Sequence, residues 1–184
     1  MADVRDEAAI QALFERIGAF DHFVFTAGET LKLGLIADMP LDDARAFFDV
    51  RYWGAYTAAK HAARLIRPGG SITFSSGIAS QRPPQAGWTL GASICAAMEG
   101  LTRALAIELK PLRVNIVSPG FVRTPLWSDI PEADREAMYA AAGEKLPVGR
   151  VGLPEDLAAA YLFLMQQPFA TGQTMVVDGG GMLA

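Results

Sequence analysis

Residues 91–106 read Gly-Ala-Ser-Ile-Cys-Ala-Ala-Met-Glu-Gly-Leu-Thr-Arg-Ala-Leu-Ala. They lie inside a predicted helix over residues 88–109, which Pro111 follows and ends. Gly91 and Cys95 are four residues apart, so they lie on one face of this helix. A lone cysteine among alanine and isoleucine is typical of a small buried side chain, and we interpret Cys95 as core and not as a nucleophile.

The length and composition are typical of one globular domain, which we assign to residues 1–184. A net charge of −4 argues against a nucleic-acid surface. The sequence has no run of Lys or Arg that would indicate a membrane partner. Its apolar stretches look too short to span a bilayer. The acidic start is unlike a signal peptide, one cysteine excludes an internal disulfide, and no residues have metal-ligand spacing. We therefore expect a cytoplasmic protein.

Hydrophobic periodicity predicts helices that alternate with short buried strands. Such alternation is typical of an α/β protein with right-handed crossovers and a parallel sheet. The predicted helices cover residues 7–17, 41–66, 88–109, 129–142 and 154–165, and the predicted strands cover residues 21–26, 71–75, 113–118 and 173–177.

The predicted strands end in small or turn-forming residues. Gly28 follows the first strand, Ser75 and Ser76 end the second, and Pro119 and Gly120 follow the third. Parallel sheets bind ligands beyond the carboxyl ends of their strands, so we expect these positions to form one cleft.

From Asp3 onward the chain resembles a short-chain dehydrogenase/reductase. Residues 91–106 resemble the active-site helix of that family, and residues 26–28 (Thr-Ala-Gly) resemble its Asn-Ala-Gly turn. Residues 118–125 (Ser-Pro-Gly-Phe-Val-Arg-Thr-Pro) match its Pro-Gly loop, and residues 177–180 match its closing strand and turn. The resemblance implies a Rossmann-like doubly wound parallel sheet that binds NAD or NADP.

The resemblance also implies roles for individual residues. Ser76 stands at the position of the catalytic serine, although a serine that caps a strand end is an equally good interpretation. The positions that would contact the cofactor are Asp3 and Val4 at the adenine, Ala27 and Gly28 at the turn, and Pro119, Gly120, Val122 and Thr124 at the nicotinamide end.

Three positions depart from the family pattern. Gly91 stands where the family has its catalytic Tyr, Cys95 where it has Lys, and Arg51 where it has Asn. Arg51 is a second candidate catalytic residue, which would bind or polarise a substrate oxygen without transferring a proton. The alternative is an ion-paired helix arginine. Tyr52 and Tyr56 are the nearest phenols, and core packing explains them better than proton donation.

No glycine-rich phosphate loop is present in the sequence. The resemblance places Met1 at the third strand of the family, so we expect the first βαβ portion, about fifty residues, to be missing. The strand over residues 21–26 would then be a bare edge, and the chain would be marginally stable or self-associate. Two interpretations remain open, a fragment of a longer protein and a degenerate protein. The regular hydrophobic periodicity of the remaining elements favours the fragment.

The expected function is an NAD(P)-dependent oxidoreductase that acts on the carbonyl or alcohol of a small-molecule substrate. In it, Ser76 would polarise the oxygen, and Trp127 with residues 130–143 would form a lid over the substrate. One alternative is a catalytically degenerate binding or scaffolding protein, and another is a non-redox lyase or isomerase that binds an anion through Arg51. Alanine-rich faces over residues 44–63 and 92–109 indicate a homo-oligomer.

Overall fold

The computed structural model describes residues 2–184, whose centre is a four-stranded parallel sheet. The strands lie in chain order, with each paired to the next, so the carboxyl ends of all four meet at one edge. This confirms the predicted parallel α/β architecture. The strands are β1 (Phe20–Val24), β2 (Ile66–Ser75), β3 (Arg113–Pro119) and β4 (Thr174–Val177).

Six α-helices connect or flank the strands within the described residues. They are α1 (Glu7–Ile17), α2 (Leu41–Ala46), α3 (Ala55–Ala62), α4 (Thr89–Glu108), α5 (Glu132–Lys145) and α6 (Pro154–Gln166). The prediction for α1 is confirmed at both ends, since the Asp6 carboxylate accepts hydrogen bonds from the amides of Ala8 and Ala9 and caps the helix. Gly18, with a φ of 71°, ends it.

The single helix predicted over residues 41–66 is wrong, because the structure divides it. A π-helical segment, Asp49–Gly54, separates α2 from α3, and the Trp53 amide donates to the Phe48 carbonyl five residues earlier. Such widened turns are frequent at functional sites, and this one contains Arg51. Gly54 ends the segment where a Cβ atom would lie 2.8 Å from the Val4 side chain.

Residues 66–70 belong to β2, although the sequence indicated the end of a helix followed by a turn. Gly70 allows this, because a Cβ atom there would lie 2.1 Å from the Asp21 carbonyl oxygen of the neighbouring strand. Only glycine permits so close an approach of two backbones. The strand therefore begins five residues earlier than predicted.

The sheet is covered differently on its two faces. Helices α1, α3 and α4 pack on one face over a buried apolar core that includes Ile72, Phe74, Val114 and Ile116. Helix α6 packs on the other face, where Leu157 and Leu164 contact Val117. Among residues 2–184, β1 pairs with β2 alone, so it forms an edge of the sheet.

By length and composition, α4 could cross a membrane, which corrects the expectation that no apolar stretch is long enough. The core helix of a globular protein passes the same test. Within the described part of the chain, α4 buries Ile94 and Met98 completely, and Met98 belongs to the core beneath the sheet. The packing of α4 is that of a core helix.

Candidate functional site

The carboxyl edge of the sheet brings together three of the predicted positions. The backbone hydrogen bonding of the sheet continues beyond the ends of β1 and β2. The Phe25 amide donates to the Thr73 carbonyl, and the Ser76 amide donates to the Val117 carbonyl. The segment that contains Gly28 leaves β1 at this edge, and Gly120 leaves β3 beside it. These positions thus share the edge at which parallel sheets bind their ligands, and the cleft expected there stays a prediction.

Arg51 extends from the π-helical segment to the turn after β1. Its Nη2 atom lies 2.7 Å from the position that a Cβ atom at Gly28 would occupy. The guanidinium group therefore fills space that Gly28 leaves empty, and any larger residue at position 28 would displace it. Only 20% of the Arg51 side chain is exposed, so its charge is held largely inside the protein.

Glu29 supplies the opposite charge to Arg51. The Arg51 Nε atom lies 3.4 Å from Glu29 Oε1, and only 13% of the Glu29 side chain is exposed. Both carboxylate oxygens are buried and accept no hydrogen bond from any of residues 2–184. Sequence analysis missed Glu29, although an acidic residue directly after a strand-end glycine could have indicated it.

Cys95 lies between the two candidate catalytic residues. Burial raises the pKa of the Cys95 thiol, while Arg51 and Ser76 both lie close enough to lower it. The net shift is upward, so the thiol stays protonated at neutral pH. This supports the interpretation of Cys95 as a buried side chain and shows that Arg51 and Ser76 approach one position on α4.

Ser76 points into α4 and is only 7% exposed. Its hydroxyl oxygen lies 3.1 Å from the Cys95 carbonyl oxygen and 3.2 Å from Glu99 Oε1. The Ser80 hydroxyl donates to the same Glu99 oxygen at 2.6 Å. Glu99, which sequence analysis also missed, therefore connects the segment after β2 to α4 through two serines.

Trp88 occupies the space above Gly91. A Cβ atom at Gly91 would lie 2.9 Å from Cε3 of the Trp88 indole ring. The ring thus fills the place where the family pattern puts a tyrosine side chain. An aromatic residue three positions earlier, at the N-cap of α4, has taken up this volume, and it carries no acidic proton in the physiological range.

Asp3 and Val4 lie beside the π-helical segment. The Asp3 carboxylate accepts hydrogen bonds from the backbone amide and the guanidinium of Arg5, which lower the pKa of Asp3 to about 2. Val4 packs against Gly54 at the rim of the core. An adenine ring would share the Asp3 carboxylate with Arg5, while Val4 has a packing role of its own.

The loop after β3 is held by close backbone packing. A Cβ atom at Gly120 would lie 2.6 Å from the Cα atom of Asp178, so glycine is needed there. Val122 is buried, and its carbonyl oxygen accepts a hydrogen bond from the Trp127 indole at 3.0 Å. The Thr124 side chain makes no capping hydrogen bond to the short 3₁₀ turn that follows it, which leaves its hydroxyl available.

Helix α5 is attached to this loop by Arg123. Its guanidinium group donates two hydrogen bonds of 2.6 Å to the Glu136 carboxylate and lies 4.4 Å from the centre of the Tyr139 ring. A cavity of about 200 Å³ separates the loop from the turn after β1. Its lining is mainly apolar and consists of Thr30, Leu31, Leu33, Leu126, Trp127, Asp129 and Ile130.

Tyr52 and Tyr56 lie in different environments, since the first is packed and the second is exposed. Tyr52 packs against the core and contacts the rings of Phe48 and Trp53 edge to face. Tyr56 is exposed and contacts Trp53, so the expectation that it packs in the core is wrong. The packing interpretation of Tyr52 is supported by these aromatic contacts.

Comparison with known proteins identifies the class. Residues 1–181 match the sequence profile of the family described as Enoyl-(Acyl carrier protein) reductase. The chain is 35% identical to the short-chain dehydrogenase/reductase malC of Malbranchea aurantiaca over 164 residues, which are 88% of this chain and 62% of that protein. It is 32% identical to the oxidoreductase UcpA of Escherichia coli K12 over 198 residues, with coverage of 100% and 74%.

Solved structures agree with this class. A small-chain dehydrogenase in complex with NADPH superposes with a TM-score of 0.95 at 44% identity, covering all of this chain and 83% of that one. The MalC reductase/Diels-Alderase of Malbranchea aurantiaca gives a TM-score of 0.90 at 32% identity, with coverage of 100% and 74%. The chain belongs to the short-chain dehydrogenase/reductase family, with a Rossmann-like parallel sheet.

Proposed function

We propose that this protein is an NAD(P)-dependent oxidoreductase that acts on the carbonyl or alcohol group of a small molecule. The observation that carries the proposal is the Arg51 guanidinium, fixed beside Gly28 at the carboxyl edge of the sheet. A relative of 44% identity is a dehydrogenase in complex with NADPH, which supports the same class of cofactor.

The residues at the edge of the sheet fit the nicotinamide end of such a cofactor. Ala27 is exposed and small, and it therefore leaves an open surface at the end of β1, next to the Arg51 guanidinium at Gly28. The free hydroxyl of Thr124 is a donor and acceptor suited to a carboxamide, and Pro119, Gly120 and Val122 shape the loop that presents it. Asp3 and Val4 would lie at the adenine end. When bound, the cofactor supplies or accepts the hydride.

Arg51 takes the electrostatic role in this proposal. Its permanent charge would bind the carbonyl oxygen and stabilise the negative charge that develops there as the carbon gains a hydride. Arginine keeps its proton, so the oxygen gains its proton from water. In the oxidation direction the alcohol proton passes to water in the same way.

Ser76 has a supporting role in the proposed site and does not contact the substrate in the observed rotamer. Its hydroxyl faces Glu99 and the Cys95 carbonyl, so direct contact with a substrate requires rotation about χ1. Ser76 holds the segment after β2 against α4, and this fixes the surface that a substrate would contact. The apolar cavity beside Trp127 would accept a hydrophobic substituent of that substrate.

The degenerate binding protein remains the second candidate function, because Trp88 fills the place of the missing tyrosine side chain. A binding protein would retain the cofactor surface while its reacting centre stays closed. The two candidates differ in whether a hydride moves, not in whether a cofactor binds.

Two measurements separate them. Fluorescence titration with NADPH and with NADH tests binding, and incubation of a panel of ketones and aldehydes with deuterated NADPH tests whether deuterium reaches a product alcohol. We expect binding and deuterium transfer. Binding without transfer would support the scaffolding candidate, and absence of both would overturn the cofactor assignment for this chain.

A further inference from the structure

Arg51 and Glu29 form a charge pair that is mostly removed from solvent. The side chains are 20% and 13% exposed, whereas the other ion pairs formed by Arg or Lys with a carboxylate in residues 2–184 have at least one side chain about half exposed or more. Charges in such an environment attract each other more strongly than surface charges do. Removing one partner leaves the other uncompensated inside the protein.

Glu29 has no other role visible in the structure. Both of its oxygens are buried without a hydrogen bond, and Arg51 is the one cation within 4 Å among the described residues. A carboxylate held in this way serves neither a helix cap nor a backbone amide. Its contribution is therefore directed at the guanidinium group.

Two other groups of this site that could carry a negative charge, Glu99 and Cys95, do not take this role. Glu99 is already bound by the hydroxyl groups of Ser76 and Ser80. The Cys95 thiol has a raised pKa, so it carries no charge at neutral pH. The counter-charge of Arg51 is thus supplied by Glu29.

We propose that Glu29 is a positioning residue that holds the Arg51 guanidinium over Gly28 at the carboxyl edge of the sheet. Two adjacent residues of one turn then act together, since Gly28 provides the space and Glu29 provides the charge. The catalytic consequence rests on the proposed function of Arg51, whereas the positioning itself does not depend on any activity.

The test of positioning uses the Nε–H signal of Arg51 in nitrogen-15 NMR spectra of the protein. The signal is assigned by its loss in Arg51→Lys. In the unaltered protein we expect a resolved signal that exchanges slowly with water. In Glu29→Gln we expect exchange to accelerate at least about tenfold and the signal to move toward that of free arginine, because the amide cannot hold the cation.

Glu155→Gln removes an exposed carboxylate from the first turn of α6 and is the matched control, expected to leave the Arg51 signal unchanged. Circular dichroism establishes that each variant is folded. If Glu29→Gln does not fold, Glu29→Asp retracts the same charge by one methylene group, and the same acceleration is expected. An unchanged Arg51 signal in a folded Glu29 variant would overturn the proposal.

A second readout connects positioning to chemistry. With a substrate found by deuterium transfer, Glu29→Gln should lower kcat and leave the Kd for NADPH unchanged, and it should have no further effect in an Arg51→Met background. A change in the NMR signal without loss of kcat would retain the positioning role and reject the proposed role of Arg51. The two failures are therefore distinguishable.

Discussion

The indole ring of Trp88 lies 2.9 Å from the position that a Cβ atom at Gly91 would occupy. The side chain that the family pattern places on this turn of α4 would collide with the N-cap residue of that helix. The missing tyrosine is thus accompanied by a change in packing. Placing a tyrosine at position 91 does not by itself remove the Trp88 ring from the space that the side chain needs.

Gly91→Tyr should destabilise the protein by about 1–3 kcal/mol, because the Trp88 ring must leave its place. Urea unfolding followed by circular dichroism measures the change. The destabilisation should shrink in a Trp88→Ala background. Gly100→Tyr on the same helix is the control, since a Cβ atom at Gly100 meets nothing within 4 Å. Equal destabilisation in both backgrounds would show that Trp88 is not the obstacle.

The double variant Gly91→Tyr with Cys95→Lys should not gain hydride transfer while Trp88 is present. The tyrosine side chain would have to adopt another rotamer, so its phenol would miss the carboxyl edge of the sheet. Deuterium transfer to a substrate measures the outcome. Gain of transfer in this double variant, with Trp88 intact, would mean that the native site lacks only these two side chains.

Gly28→Ala should impair the site while leaving the fold intact. The new methyl group would meet the Arg51 Nη2 atom, which is the far end of a flexible side chain and can move away. We expect less than about 1 kcal/mol of lost stability, and about a tenfold to hundredfold fall in hydride transfer. Adding Gly28→Ala to Arg51→Met should have no further effect on transfer. If the two substitutions lowered hydride transfer additively, Gly28 would act by a route other than the placement of Arg51.

Arg51→Met should lower hydride transfer by about a hundredfold to a thousandfold, the range seen when one donor to a developing oxyanion is removed. The affinity for NADPH should stay unchanged, because the guanidinium acts on the substrate oxygen. Arg64→Met, at an exposed position just after α3, is the matched control. Transfer in Arg51→Met at the level of this control would remove Arg51 from the reaction.

Stability should fall in acid partly through Asp156. Its carboxylate accepts hydrogen bonds from the Arg150 guanidinium and the Leu153 amide, which lower the pKa of Asp156 from 3.8 to about 2. A carboxyl group with a lowered folded-state pKa stabilises the fold above its unfolded pKa. This contribution is lost as the pH falls from 3.8 toward 2.

Asp156→Asn should therefore lose stability at pH 6 and show a weaker dependence of the unfolding free energy on pH below 4. Urea unfolding at a series of pH values measures both effects. Asp38→Asn, at an exposed loop position, should retain the pH dependence of the unaltered protein. Identical curves for Asp156→Asn and the unaltered protein would contradict the assignment.

The alternation of strands and helices could be predicted from sequence because it depends on local periodicity. Residues 88–109 were predicted as a helix and α4 covers Thr89–Glu108, and residues 154–165 were predicted where α6 covers Pro154–Gln166. Both helices bury one apolar face, and each is followed within three residues by a proline, Pro111 or Pro168, which cannot continue a helix. Such signals lie within a few turns of chain and need no distant partner.

The interruption of the predicted helix over residues 41–66 could not be derived in the same way. The π-helical segment brings Gly54 against Val4, a contact between residues fifty positions apart. The early start of β2 depends likewise on the approach of Gly70 to the Asp21 carbonyl. Local propensity has no information on either contact.

The sequence by itself determined the parallel α/β order, the edge of the sheet at which a ligand site is expected, and the departures from the family pattern at Gly91, Cys95 and Arg51. Those features are written in residue types and short spacings. Only the tertiary structure decided that Arg51 fills the space at Gly28 beside Glu29, and that Ser76 turns toward Glu99. These relationships depend on distances between separate elements, which exist only after the chain has packed.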